Sequence, residues 1–140
     1  MKVIVCGGRN FHSYEAIEKY LDMLHALHRF SVVIHGAARG ADRMAAYWAS
    51  QRDIDIRAFP ADWNKSPRGA GPIRNKQMLD QGQPDLVIAF PGGNGTLDMR
   101  TQAERAGVPV LNLADPNTRA DIRQRYGIRG GRCGGADTPP

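Results

Sequence analysis

Apolar residues fall along this chain in two rhythms. Short unbroken runs rich in β-branched residues, KVIVC (2–6), SVVIH (31–35) and DLVIAF (85–90), read as strands buried on both faces. VPVLNL (108–113) continues the series, and DIRAFP (55–60) is its weakest member. Between these runs apolar residues recur at steps of three and four: Ile17, Tyr20, Leu21, Leu24 and Leu27 follow Ser13, whose hydroxyl suits an N-cap. Stretches 40–51, 73–81 and 96–106 repeat that period, and 114–127 predicts a last helix stopped by Gly127. Strands alternating with helices predict a doubly wound α/β fold, a parallel sheet of about five strands with helices on both faces. One domain over 1–127 is expected, with 128–140, rich in Gly, Arg and Pro, as a flexible tail.

At 140 residues the chain fits a single domain and therefore a single main site. No apolar stretch approaches the roughly 18 residues of a membrane span, and only four apolar residues separate Lys2 from Gly7, too few for a secretory signal. Cys6 and Cys133 lie far apart with no C-x-x-C or Cys/His spacing, which predicts neither disulfide nor metal site, and no motif asks for a cofactor. A reducing cytoplasm is the expected compartment and no membrane the expected partner. The net charge is +5, and 119–140 holds five arginines against Asp121 and Asp137, leaving the body close to balanced. Such a basic segment attracts polyanions or is simply solvated.

The candidate chemistry sits where the strands end. In an open parallel sheet ligands bind beyond the carboxyl ends of the strands, and there the glycines gather: CGGRNF (6–11), HGAARGAD (35–42) and PGGNGT (91–96). Each leads toward a helix, so backbone N–H groups and the positive end of a helix dipole face one crevice, a combination suited to phosphate. A tight turn is the other reading of any one of them. There is no G-x-x-x-x-G-K-[ST] and no G-x-G-x-x-G, which excludes the usual triphosphate and dinucleotide fingerprints.

CGGRNF, HGAARGAD, GPIRNKQM (71–78) and PGGNGT, in this order and spacing, resemble the SLOG superfamily of Rossmann-like nucleotide-binding proteins, most closely its YspA (cpYpsA-related) branch; the similarity covers about residues 1–113. More distant relatives by the same motifs are the LONELY GUY-type phosphoribohydrolases and DNA-processing protein A. The resemblance implies a nucleotide-type ligand whose phosphate is held by Gly92, Gly93, Gly95 and Thr96, with Gly36 and Gly40 lining the opposite wall; the position of the turns at the strand ends adds Gly7, Gly8, Arg9, Asp42 and Pro91 to the ligand-binding candidates. The resemblance also implies that Arg74, with Met78 four residues on, stands for the hydrolases' arginine, a bidentate partner for phosphate or a departing base. Pairing of two copies through helices beside the site is implied as well, and the alternation of apolar and charged residues in 96–107 is compatible with it.

One departure stands out. The hydrolases continue the glycine loop to P-G-G-x-G-T-x-x-E, and here that glutamate position is Met99. Asp98 is its neighbour, but adjacent helical positions point about 100° apart. Asp42 has two readings, a partner for a ribose hydroxyl or a helix cap. The segment 59–75, with Trp63, Lys65, Arg68 and Arg74 among prolines and glycines, has the makings of a lid: an aromatic face for a base and cations for phosphates. Trp63 as a mere anchor of the loop is the alternative, and His35 is either a crevice group or a structural histidine.

Three functions stand open: a sensor or binding module for a nucleoside phosphate or ADP-ribose-like ligand; a hydrolase of the N-glycosidic bond of nucleoside 5′-monophosphates with Arg74 and Asp98 as catalytic groups; and a single-stranded nucleic-acid binder using the basic segment. Whether the protein is an enzyme is left undecided by Met99.

Overall fold

The computed structural model describes residues 1–130, with the side chains of residues 1–125. Its elements alternate as the two rhythms require: β1 (Lys2–Cys6), α1 (Tyr14–His28), β2 (Val32–His35), α2 (Ala41–Ser50), β3 (Asp55–Ala58), α3 (Ala70–Gly82), β4 (Leu86–Ala89), α4 (Asn94–Arg105), β5 (Val110–Asn112) and α5 (Pro116–Gly130). The five strands form one parallel sheet in the order β3-β2-β1-β4-β5. The doubly wound expectation is met.

Alternation along the central strands sorts the core into two layers. Val3, Val5, Val33, Ile88 and Phe90 face one side, against α1, α2 and α5 residues such as Ile17, Leu21, Trp48 and Ile122. Ile4, Cys6, Ile34, Val87 and Ala89 face the other, against Met78 of α3 and Met99 and Ala103 of α4. Burying a Val, Ile or Leu side chain contributes about 1.5–3 kcal/mol each, so these unbroken runs fix which strands sit in the middle. β3, the weakest run, is one edge, with all four of its residues exposed, and β5 is the other.

Three boundaries differ from the sequence reading. α3 begins at Ala70 rather than 73, because Pro72 falls in a first helical turn whose N–H groups have no intrahelical partner to lose. Arg74 stands on the helix, as the period of 73–81 predicts, and not in the lid, which shrinks to 59–69. α5 runs through Gly127 to Gly130, so the expected stop is overridden, and residues 131–140 of the expected tail lie outside the described residues. Part of the basic segment is likewise structural: Arg119 Nη1 donates to Leu113 O at 2.7 Å, and Arg123 donates to the Tyr20 hydroxyl of α1. No helix among the described residues is long and apolar enough to cross a membrane.

Candidate functional site

Strand order reverses direction between β1 and β4, and the loops leaving these two strands meet. Gly8 N donates to Pro91 O at 2.9 Å, and Phe90 N donates to Cys6 O at 2.8 Å. The second turn closes in from the side, with Ala41 N donating to Gly8 O at 3.3 Å. Three of the three glycine turns thus converge, as the sequence predicts.

Most of these glycines exist for that convergence. A Cβ on Gly7 would lie 2.5 Å from Ala41 Cβ, one on Gly8 3.1 Å from Gly92 Cα, and one on Gly92 2.7 Å from Gly8 N. Gly40 holds φ at +82°, and a Cβ on it would run into the carbonyls of Gly8 and Arg9, a place with neither the torsion nor the room for a side chain. A side chain on Gly36 would collide with the Arg74 guanidinium. Gly93 and Gly95 are different. Neither has positive φ, and a Cβ at either would meet nothing within 4 Å.

Gly93 is also the N-cap of α4, and no side chain caps that helix. The same holds for α2 and α3, whose N-caps are Gly40 and Gly69, whereas α1 is capped by Ser13, which accepts from Ala16 N at 3.2 Å. The first turn therefore leads to a finished helix end, contrary to the expectation that each glycine run opens onto free amides. At α2 the Ala41 amide is taken by Gly8. At α4 the first-turn N–H groups of residues 94–96 have no hydrogen-bond partner among the described residues, and Thr96 beside them is 7% exposed.

Two cavities flank this helix start and share Gly92 and Gly93. One, of about 450 Å³, lies on the β1–α1 loop with Arg9, Phe11, His12 and Pro91 in its wall. The other, of about 290 Å³, lies between α4 and the end of β5, walled by Phe90, Thr96, Leu97, Arg100 and Asn112. No carboxylate lines either one. Above the first, Arg9 stacks on the half-exposed Trp63 ring, 5.1 Å from guanidinium carbon to centroid, so the 59–69 loop reaches across the crevice mouth.

The acidic candidates are occupied elsewhere. Asp42, 5% exposed, accepts from Gly36 N at 3.0 Å and Ala38 N at 3.3 Å, bracing the second turn. Burial pushes its carboxyl up to about 6, against those two amides and Arg74. Asp98 Oδ2 accepts from Asn75 Nδ2 at 3.0 Å and Gln102 Nε2 at 2.7 Å. Met99 is 1% exposed and packs beneath the sheet, so the side chain at the hydrolases' glutamate position enters the core.

Arg74 Nη1 donates to Gly36 O, and its Nε donates to Asn75 Oδ1 at 3.0 Å. Asn75, 3% exposed, continues to Gly95 O at 3.3 Å as well as to Asp98. A single hydrogen-bonded line thus runs from the second glycine turn to the third. His35 accepts from Ala37 N at 2.9 Å through Nδ1, holding Ala37 at φ +59°; burial, with Arg74, lowers its affinity for a proton. His35 is the structural histidine of the two readings.

Asn75 and Arg100 went unread in the sequence. Asn75 was detectable as a polar residue directly after Arg74 on a helix, and Arg100 as the residue one turn past Thr96 on the same helical face. Among the described residues no cluster of His, Cys, Asp and Glu has the shape of a metal site.

Comparison with known proteins places the chain in context. Residues 1–65 match the model of the YspA, cpYpsA-related SLOG family. The Gene 61 protein of Mycobacterium phage D29 is 35% identical over 122 residues, covering 81% of this chain and 97% of its own length. Among solved structures, the Moco carrier protein of Chlamydomonas reinhardtii superposes with a TM-score of 0.56 at 14% identity, over 89% of this chain and 83% of that one. The molybdenum cofactor binding protein of Rippkaea orientalis gives 0.55 at 21% identity, over 90% and 84%. UDP-GlcNAc 2-epimerase of Neisseria meningitidis, bound to UDP-GlcNAc, gives 0.52 at 19% identity over 80% of this chain and 32% of its own.

Proposed function

This chain belongs to the YspA, cpYpsA-related SLOG family, and from that premise we propose that it binds a nucleotide-type ligand, a nucleoside phosphate or an ADP-ribose-like molecule, as a sensor or carrier. A phosphate rests on the amides of residues 94–96 at the start of α4, and the organic part lies in the cavity walled by Arg9 and Phe11. The observation that carries this reading is the pair Gly93 and Gly95, bare where neither a positive φ nor packing requires it, at a helix start that no side chain caps. Bare backbone with nothing opposite it is what a close-lying anion needs. Proteins of the same fold that hold the molybdenum cofactor or UDP-GlcNAc support a small organic ligand at this architecture.

Binding without turnover is favoured over N-glycosidic hydrolysis because neither cavity presents a carboxylate to stabilise oxocarbenium-like charge. Asp98 is held by Asn75 and Gln102, and position 99 is in the core. Incubation with nucleoside monophosphates, NAD and ADP-ribose, following melting temperature and free-base release in the same samples, tests both readings. A raised melting temperature with no base released is the expected result. Base release that Asp98→Ala abolishes would replace the binding reading by the hydrolase one.

A further inference from the structure

The cavity between α4 and β5 contains a cation that the fold itself does not use. Arg100 Nε is buried and has no hydrogen-bond partner among the described residues, and no ion pair there involves Arg100. The guanidinium therefore brings a donor fork to the cavity wall with no hydrogen-bonded or charged partner among the described residues, and an anion in the cavity is the partner that its charge and shape suit. The wall around it is of one character: Thr96 and Asn112 offer polar groups, Leu97 and Phe90 apolar surface, and nothing offers negative charge.

Arg100 stands four residues after Thr96, one turn further along the same face of α4. Side chains on a helix lean toward its N-terminus, so this guanidinium serves the cavity that opens beside Gly93. Residues four apart are about 5–6 Å from each other at Cβ. The amides of the first turn and a guanidinium one turn on, leaning back toward them, are two adjoining donor groups, a match for two phosphates in anhydride linkage. The first would sit on the helix amides and the second against the guanidinium fork.

We infer that Arg100 makes the α4–β5 cavity a second anion subsite, and that the ligand of this chain carries a diphosphate whose two groups lie on the α4 amides and on Arg100. The inference rests on the phosphate cradle proposed above and narrows it from any nucleotide-type ligand to one with adjoining phosphates.

Calorimetric titration of the full chain with inorganic phosphate and with pyrophosphate tests it. Pyrophosphate is expected to bind at least about tenfold more tightly, the contribution of one added charge-assisted contact. Arg100→Gln is expected to erase that preference. Leu97→Glu, a change at a residue 52% exposed and hence tolerated by the fold, is expected to erase it too by placing a carboxylate at the cavity mouth. Equal affinities for the two anions in the unaltered protein would overturn the second subsite and leave the cradle standing, as would a preference that survives both substitutions. Failure of both anions to bind would overturn the cradle and the inference with it.

Discussion

The Asn75 side-chain amide donates to the Asp98 carboxylate at 3.0 Å and to the Gly95 carbonyl at 3.3 Å, so a residue of α3 holds the first turn of α4 in place. Its oxygen accepts from Arg74, which in turn donates to Gly36. Replacing Asn75 with Ala is expected to cost about 1–3 kcal/mol, the usual loss for a buried polar group with several partners. The melting temperature should fall by several degrees, and the shift produced by a bound nucleotide should shrink because the cradle is no longer held. A variant as stable as the parent would show that the line carries no strain or support.

The two kinds of glycine give opposite outcomes. Gly92→Ala forces a methyl group to within 2.7 Å of Gly8 N and into Thr96, an overpacking expected to destabilise by about 1–3 kcal/mol. Gly95→Ala meets nothing and lies in a helix, where the change is expected to stabilise by roughly 0.5–1 kcal/mol. The same Gly95→Ala protein is expected to bind phosphate more weakly, since its methyl group occupies the open side of the cradle. Urea unfolding and phosphate titration on each variant check both halves; unchanged affinity in Gly95→Ala would remove the reason given for that glycine.

Asp42 predicts an unusual pH dependence. Its folded carboxyl is raised to about 6 from an ordinary 3.8, chiefly by burial. Between those values the folded protein holds the proton and the unfolded chain has lost it, so this group's contribution falls as pH rises from about 4 to 6 and is constant above. The whole effect is about 3 kcal/mol at most. His35 and His25, both lowered by burial, act the other way, their contribution declining as pH falls below 6.5. Asp42→Asn isolates the carboxyl: urea unfolding from pH 4 to 7 should show the parent losing stability relative to the variant across that interval. A constant difference would mean that Asp42 titrates normally.

The sheet and its central strands were legible because β-branched runs of four to six residues leave few alternatives to burial in a parallel sheet. The convergence of the glycine turns followed from the rule that ligands meet strand carboxyl ends. The division of labour among the glycines was not legible. Gly40 and Gly92 touch residues more than thirty positions away, and no local pattern separates them from Gly93 and Gly95. Ser13 was read correctly as a cap, because capping is local; the commitment of Asp98 to Asn75 was not, because it joins two helices. The helix over 73–81 was placed three residues late at its start, since Pro72, which would break a helix interior, is harmless in a first turn.

The register that puts Val3 beside Leu86 has a consequence for the order of events in time. β1 leaves the ribosome first, yet its second neighbour arrives some eighty residues later, so the early chain has half a sheet and no crevice. The proposed ligand, held beside the junction of the Gly8 and Gly92 loops, can therefore bind only the finished molecule. Its binding energy then adds to the free energy of opening the sheet as a whole and leaves the fraying of the outer helices untouched. In hydrogen exchange, protection gained on ligand binding should therefore appear together in the amides of β1 and β4, which of all the paired strands lie farthest apart in the chain.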